Sequence, residues 1–149
     1  MKYVKYRAIT KPFNFSGTMI KEDFPAYVKQ YVREEVILSA YKTKRDYGIF
    51  TDKKIVLFDN YAQRKQIYTI PYQSISTLSV IFDEKEAFLD LYLNSGYPVN
   101  LQFIGMTGED KLRLRILYTC ISKLVNNQTL VKMDIDRLLN NDIHLSNKK

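Results

Sequence analysis

Between residues 35 and 104 the sequence repeats one pattern, a short apolar or alternating run followed by a turn. Seven such runs are present, at 35–41, 46–50, 54–59, 66–70, 75–81, 87–93 and 98–103. In the sixth, Leu89 and Leu91 alternate with Asp90 and Tyr92, which is typical of a strand with one buried face. Short strands at such regular spacing indicate an antiparallel sandwich or barrel rather than alternating strands and helices.

The stretch "RDYGIFTDKKIVLFDN", residues 45–60, predicts a hairpin within this series. Its two apolar runs flank "TDKK", which we interpret as a four-residue loop built around a type I turn with its lysines facing water. Pro71 cannot donate to a strand ladder, so "PYQS" predicts a corner between the fourth and fifth strands.

A helix is predicted before the strands, over residues 24–34. Phe24, Tyr27, Val28, Tyr31 and Val32 have the spacing of one helical face. The preceding Asp23 is a suitable N-cap, and Pro25 is tolerated in a first turn.

Another helix is predicted after the strands, over residues 109–126. Thr107 and Asp110 have the spacing of a capping box. The stripe of this helix is formed by Leu114, Leu117, Ile121 and Leu124, widened by Cys120 and Val125. A short helix near 134–141 and a frayed end are also expected.

Two stretches carry a family resemblance, "EEVILSAYKTKRDYGIFTDKKIVLFD" and "YTIPYQSISTLSV". The characteristic positions are Tyr41, Lys42, Arg45, Asp46, Tyr47, Phe50, Thr51 and Lys53, then Ile70, Pro71, Tyr72, Ser74 and Ile75. They resemble the bacterial pleckstrin-homology (PH) domain family over roughly residues 34–126. The resemblance implies a mainly β fold, a seven-stranded antiparallel bent barrel capped by a C-terminal helix. It also implies a non-enzymatic module that often self-associates into rings.

Three parts of the chain are therefore expected. Residues 1–34 form a basic arm and an amphipathic helix, 35–126 the barrel with its capping helix, and 127–149 a C-terminal helical extension. With one cysteine, no internal disulfide is possible, which suits a reducing compartment. Neither a signal peptide nor an 18-residue apolar run is visible, so we expect a cytoplasmic protein.

Catalytic, metal and cofactor chemistry find no support in the sequence. The only histidine, His144, lies in the expected frayed end, and Cys120 lies in an apolar stripe where it acts as a small hydrophobe. No zinc-ligand spacing or phosphate-binding glycine loop is present. Asp83, Glu84 and Glu86 surround Lys85 in what we interpret as a solvated turn. We expect no cofactor.

A possible anion site lies between the first two of the seven strands. Lys42, Lys44 and Arg45 could converge on a phosphate or an anionic lipid surface. The alternative is that Arg45 pairs with Asp46 and only stabilises the loop.

The remaining basic residues allow several interpretations. Residues 1–21 contain five basic and no acidic side chains, within a formal net charge of +7. This arm suits an acidic partner, an anionic lipid or simple solubility, whereas nucleic-acid binding is disfavoured because its Lys–Tyr alternation also fits an edge strand. Lys111, Arg113 and Arg115 either meet an acidic partner or form the outer face of their helix.

Assembly is the function that the sequence favours. The helix predicted over 24–34 either packs on its own barrel or docks onto a neighbour. In the second case Tyr27 and Tyr31 are candidate interface residues, since tyrosine is enriched at protein interfaces. We therefore expect an interaction module that binds a protein partner or itself. The alternative is peripheral binding to an anionic membrane through residues 42–45.

Overall fold

The computed structural model describes residues 13–61 and 64–139. Within them lie nine strands, β1 (Phe13–Phe15), β2 (Gly17–Thr18), β3 (Ile37–Lys42), β4 (Tyr47–Thr51), β5 (Lys54–Tyr61), β6 (Arg64–Pro71), β7 (Ile75–Phe82), β8 (Glu86–Leu93) and β9 (Pro98–Ile104). Three helices accompany them, α1 (Ala26–Lys29), α2 (Gly108–Val125) and α3 (Lys132–Leu139). The seven predicted strands correspond to β3–β9. The expectations for residues 1–12 and 140–149 lie outside the described residues.

The strands form two sheets with the arrangement of a PH fold. The four-stranded sheet has the order β1-β9-β8-β7, and the five-stranded sheet has the order β2-β3-β4-β5-β6. A 3-10 turn at Tyr72–Ser74 joins β6 to β7, which is the corner predicted at Pro71. The PH-like fold is confirmed, although hydrogen bonds do not close the two sheets into a barrel.

At the other corner, residues 13–18 hold the two sheets together. β1 pairs with β9, with Phe13 opposite Leu101, and β2 pairs with β3. The seven predicted strands pair antiparallel, as expected, and the β1–β9 pair adds a parallel edge to the four-stranded sheet. Strands of three and two residues are too short to show an alternation, so the sequence predicts only a weak strand or an arm over residues 1–20.

The main core lies between the two sheets and under α2. Among its fully buried side chains the largest are Phe13, Phe15, Phe50, Phe103 and Tyr72. Burying each side chain of this size stabilises the fold by about 1.5–3 kcal/mol.

The outer face of the five-stranded sheet is covered by residues 19–32. In this segment Met19, Phe24, Val28 and Val32 are buried against sheet residues that include Phe58. The apolar residues of the predicted helical face are therefore buried, and they pack on the five-stranded sheet of their own chain.

The predicted helix over 24–34 is wrong in extent, because only α1, a single turn, is α-helical. Pro25, not Asp23, occupies the N-cap position, and Asp23 ends a preceding 3-10 turn. Phe24 precedes a proline and is extended, which prevents the helix from starting earlier. Beyond Lys29 the bonds are tight i to i+3 turns, as from the Val32 N–H to the Lys29 carbonyl.

The β4–β5 hairpin is tighter than predicted. Thr51 and Lys54 belong to the strands, so only Asp52 and Lys53 form the loop. The Thr51 Oγ1 accepts from the Lys53 and Lys54 N–H groups at 3.0 Å. Lys54 pairs with Glu35 rather than facing water, which corrects the expectation for that lysine.

The C-terminal helices pack as the sequence predicts. Thr107 and Asp110 form the full capping box at the start of α2. The buried residues of α2 are Leu114, Ile116, Leu117, Cys120 and Ile121. The last described helix, α3, begins two residues earlier than predicted and buries Leu138 in the core.

Candidate functional site

The outer side of the four-stranded sheet carries the main uncovered surface in the described part of the chain. On β8 the inward residues Ala87, Leu89 and Leu91 are buried, so the intervening residues point outward. The register then defines this surface, here called the open face: Thr77, Ser79 and Ile81 on β7, Glu86, Phe88, Asp90 and Tyr92 on β8, and Pro98, Asn100, Gln102 and Ile104 on β9.

Large apolar side chains of the open face are exposed to solvent. Ile81 is 56% exposed, Tyr92 49% and Ile104 38%. Ile81 lies opposite Phe88, and Ile104 lies opposite Glu86, the second residue before Phe88 on β8. The helix α2 contacts β7 at Leu78 and Phe82, which do not belong to the open face: the Tyr118 hydroxyl donates to the Leu78 carbonyl, and Arg115 lies over the Phe82 ring. Unlike the other sheet, this one has no described segment across its outer face.

The open face is not evident from the sequence pattern alone. Alternation in 87–93 did place Asp90 and Tyr92 opposite the core. The pattern does not reveal how the strands pair or that no described segment covers this sheet. Both depend on residues that are distant in sequence.

Tyr27 and Tyr31, the predicted interface residues, pack within their own chain. Each ring lies edge-on to Phe58 with centroids 5.9 Å apart. The Tyr27 hydroxyl accepts a hydrogen bond from Asn60 Nδ2 at 3.0 Å. Tyr31 remains 38% exposed. A role for these two tyrosines in binding a partner stays a prediction.

The loop that holds Lys42, Lys44 and Arg45 is a tight turn closed by Thr43. The Thr43 N–H donates to the Asp46 carbonyl at 2.9 Å, and Thr43 Oγ1 accepts from the N–H groups of Arg45 and Asp46. Lys42 ends β3, Lys44 lies in the turn, and both are exposed. Within the described residues, neither of these two ammonium groups pairs with an acid.

Arg45 is engaged by two carboxylates instead of pointing freely into solvent. Its Nε lies 3.2 Å from Asp46 Oδ1, and its Nη2 lies 3.9 Å from Asp59 Oδ1. Both aspartates are buried, so the guanidinium offsets charge that would be costly in isolation. The alternative interpretation, an Arg45–Asp46 pair that stabilises the turn, is thus present in the structure. Anion binding by Lys42, Lys44 and Arg45 stays a prediction.

A further cation, which the sequence analysis missed, lies at the same end of the sheet. Asn60 Nδ2 donates to the Arg45 carbonyl at 2.7 Å and so ties β5 to this turn. Lys65 lies opposite Asn60 in the β5–β6 register, with its Nζ 3.9 Å from the Tyr27 ring centroid. We call Lys42, Lys44, Arg45 and Lys65 the basic end.

The three basic residues at the start of α2 all have partners inside the chain. Lys111 donates to the Glu84 carbonyl, and Arg115 lies 4.8 Å above the Phe82 ring. Arg113 donates to Ser39 Oγ at 3.2 Å and to the Leu138 carbonyl at 2.8 Å, linking β3 to α3. These contacts explain the cluster without an external acidic partner.

Cys120 is a core residue. It is buried, and that burial raises the pKa of its thiol to about 11. Among the described residues, no group of three or more histidine, cysteine, aspartate or glutamate side chains is placed to hold a metal ion. None of the helices described is both long and apolar enough to cross a membrane.

Comparison with solved structures finds the same fold in bacterial proteins. A PH-domain-containing protein from Exiguobacterium sibiricum aligns with a TM-score of 0.58 and 17% identity, over 78% of this chain and 63% of that one. This chain thus spans less than two thirds of that protein's length. A DUF1696-family protein with a PH domain from Shewanella loihica aligns with a TM-score of 0.57 and 18% identity, over 75% of this chain and 98% of that one.

Comparison by sequence gives one clear result. No curated protein matches the chain significantly. The family model described as "Bacterial PH domain" matches residues 13–103, more than half of the chain. The match starts at β1, earlier than the resemblance at residue 34, and stops at Phe103, before α2. By the sequence match and the shared fold, this chain belongs to the bacterial PH domain family.

Proposed function

We propose that this protein is a non-catalytic cytoplasmic module that assembles with copies of itself through the open face. The observation that carries the proposal is the contrast between the two sheets. One outer face is covered by residues 19–32, whereas the other exposes Ile81, Tyr92 and Ile104. Exposed apolar side chains gathered on one surface are a feature of interaction sites.

The other surfaces of the described chain fit this role less well. Tyr27 and Tyr31 already pack on Phe58, so using them would disturb the cover of the five-stranded sheet. At the basic end, Arg45 already compensates Asp46 and Asp59. The open face needs no rearrangement before it can bind.

Light scattering after gel filtration tests the proposal. The wild-type protein is expected to have a mass that is a multiple of 17.6 kDa. The variant Ile81→Lys/Ile104→Lys is expected to have the monomer mass, because forming the contact would remove two charges from water. Val131→Lys/Met133→Lys is the matched control, since both residues are exposed and apolar but lie outside the open face. A monomeric wild type at every concentration, or equal effects of both variants, would reject the proposal.

A second candidate function is peripheral binding of an anionic lipid or phosphate at the basic end. It is supported by the position of Lys65, which adds a cation to Lys42 and Lys44 at one end of the sheet. Each cation near an anionic bilayer contributes about 1 kcal/mol.

Co-sedimentation with vesicles tests this second candidate. Binding to phosphatidylserine vesicles but not to phosphatidylcholine vesicles, lost in Lys42→Ala/Lys44→Ala, is the expected result. Lys21→Ala/Lys29→Ala removes two exposed cations elsewhere and serves as the control. Titration with inorganic phosphate separates a lipid surface from a free anion. Equal binding by both variants would mean that the basic end has no specific role.

A further inference from the structure

The open face is acidic as well as apolar. Glu86 and Asp90 lie on β8, the middle one of its three strands, opposite Ile104 and Asn100 of β9. No lysine or arginine is among the residues that define the face. A complementary partner therefore carries cations together with apolar side chains.

Two open faces packed against each other would not satisfy these requirements. The acids of one copy would meet those of the other, which is repulsive. Three strands about 4.8 Å apart, each of seven residues rising about 3.4 Å, give a face of roughly 14 by 24 Å.

The sequence of this chain contains one segment with the required chemistry. Residues 1–12, "MKYVKYRAITKP", hold Lys2, Lys5, Arg7 and Lys11 and no acidic residue. Tyr3, Val4, Tyr6 and Ile9 are interspersed with those cations. Fully extended, twelve residues span about 40 Å, more than the length of the face.

Resting on the proposed self-assembly, we propose that residues 1–12 of one copy bind the open face of a second copy. The cations meet Glu86 and Asp90, and the tyrosines pack beside Ile81 and Tyr92. Each copy then offers one arm and one face. Such a head-to-tail contact closes into a ring or continues as a filament, depending on the rotation between copies.

A charge-exchange experiment on full-length chains tests the pairing. The arm variant is Lys2→Glu/Lys5→Glu/Arg7→Glu, and the face variant is Glu86→Lys/Asp90→Lys. Alone, each variant sets like charges against each other and is expected at the 17.6 kDa monomer mass. An equimolar mixture restores both attractive pairings and is expected to recover the mass of the wild-type assembly. The single chain with all five substitutions is expected to assemble by itself.

The matched control is Glu22→Lys/Asp23→Lys, which changes the charge equally at exposed positions away from the open face. This control should keep the wild-type mass and should not rescue the arm variant. If wild type assembles but the arm variant does so equally well, or if the mixture remains monomeric, the arm is not the occupant and assembly by another contact stands. A monomeric wild type overturns both proposals. Circular dichroism confirms that each variant is folded.

Discussion

The Tyr72 hydroxyl donates a hydrogen bond of 2.6 Å to the Thr51 carbonyl oxygen, joining the corner between the sheets to the β4–β5 hairpin. Both residues are buried, and burial raises the pKa of Tyr72 well above its ordinary value, so the hydroxyl keeps its proton. Tyr41 is a second buried tyrosine, but its hydroxyl is not hydrogen-bonded in this way. Among the described residues its hydroxyl makes no hydrogen bond of good geometry, and the nearby Ser39 hydroxyl accepts from Arg113.

The first prediction compares these two tyrosines. Tyr72→Phe leaves the buried Thr51 carbonyl without this donor and is expected to lower the free energy of unfolding by about 1–2 kcal/mol. Tyr41→Phe removes an unpaired polar group and is expected to be neutral or stabilising by up to about 1 kcal/mol. Urea denaturation of both variants measures the difference. Equal losses would show that the two hydroxyls have equivalent surroundings.

The second prediction concerns Gly48, which faces the Phe15 ring. A Cβ at this position would lie 2.5 Å from Phe15 Cζ. The ring cannot easily move, because it packs against Tyr41 and Phe103 at centroid distances of 6.1 and 5.6 Å. Gly48→Ala is therefore expected to destabilise the protein by about 2–3 kcal/mol.

Thermal unfolding of the Gly48 variant and two companions measures this clash. Gly108→Ala is the control, because nothing lies within 4 Å of a Cβ added there. Adding Phe15→Leu to Gly48→Ala should recover part of the loss if the clash with the ring is its cause. No recovery in the double variant would point to a different origin.

Much of the fold was predictable because its signals are local. The alternation of Leu89 and Leu91 with Asp90 and Tyr92 identifies β8, and Thr107 with Asp110 marks the start of α2. The failures came from distant interactions. Phe24, Val28 and Val32 have helical spacing. In the structure they cover the five-stranded sheet from a segment whose α-helix is a single turn that begins after Pro25.

The candidate surfaces show the same division. Pairing of Arg45 with Asp46 was foreseeable, since the residues are adjacent. The second ion pair of Arg45, with Asp59, depends on how β4 and β5 pair. The open face depends on a further fact. Its residues could be assigned to the outer side of a strand from alternation, but only the complete packing shows which sheet is left uncovered.

The third prediction concerns the pH dependence of the docking of α3. Lys123 Nζ lies 2.9 Å from both carboxylate oxygens of Asp134, and this hydrogen bonding, more than the other nearby charges, holds the pKa of Asp134 below its ordinary 3.8. A lowered folded-state pKa means that the stabilisation is complete above pH 3.8 and is lost as the pH falls through the lower folded value.

Asp134→Asn is accordingly expected to cost about 1 kcal/mol at pH 7, since the pair is partly exposed. The difference from wild type should shrink as the pH falls below 3.8. Denaturant titrations between pH 7 and pH 2.5 measure it. Asp136→Asn, on the same helix, should show no comparable change, and a pH-independent loss for Asp134→Asn would contradict the ion-pair explanation.

The fourth prediction concerns the reactivity of Cys120. Burial raises its pKa from 9.0 to about 11, which lowers the thiolate fraction near pH 8 on the order of 100-fold. Because the thiol is also inaccessible, a disulfide reagent should label the native protein more slowly than that factor implies, and the urea-unfolded protein at once. Rapid labelling of the native state would mean that α2 leaves the core far more often than its packing indicates.

The pairing of β1 with β9 has a consequence for synthesis on the ribosome. β1 is the first described strand to leave the exit tunnel, yet its hydrogen-bonding partner, β9, is the last described strand to emerge. Phe13 and Phe15 cannot reach their sites in the main core until then. Contacts that close such long stretches of chain form slowly. During translation these two aromatic residues are thus exposed to chaperones and neighbouring nascent chains for longer than any other part of the described core.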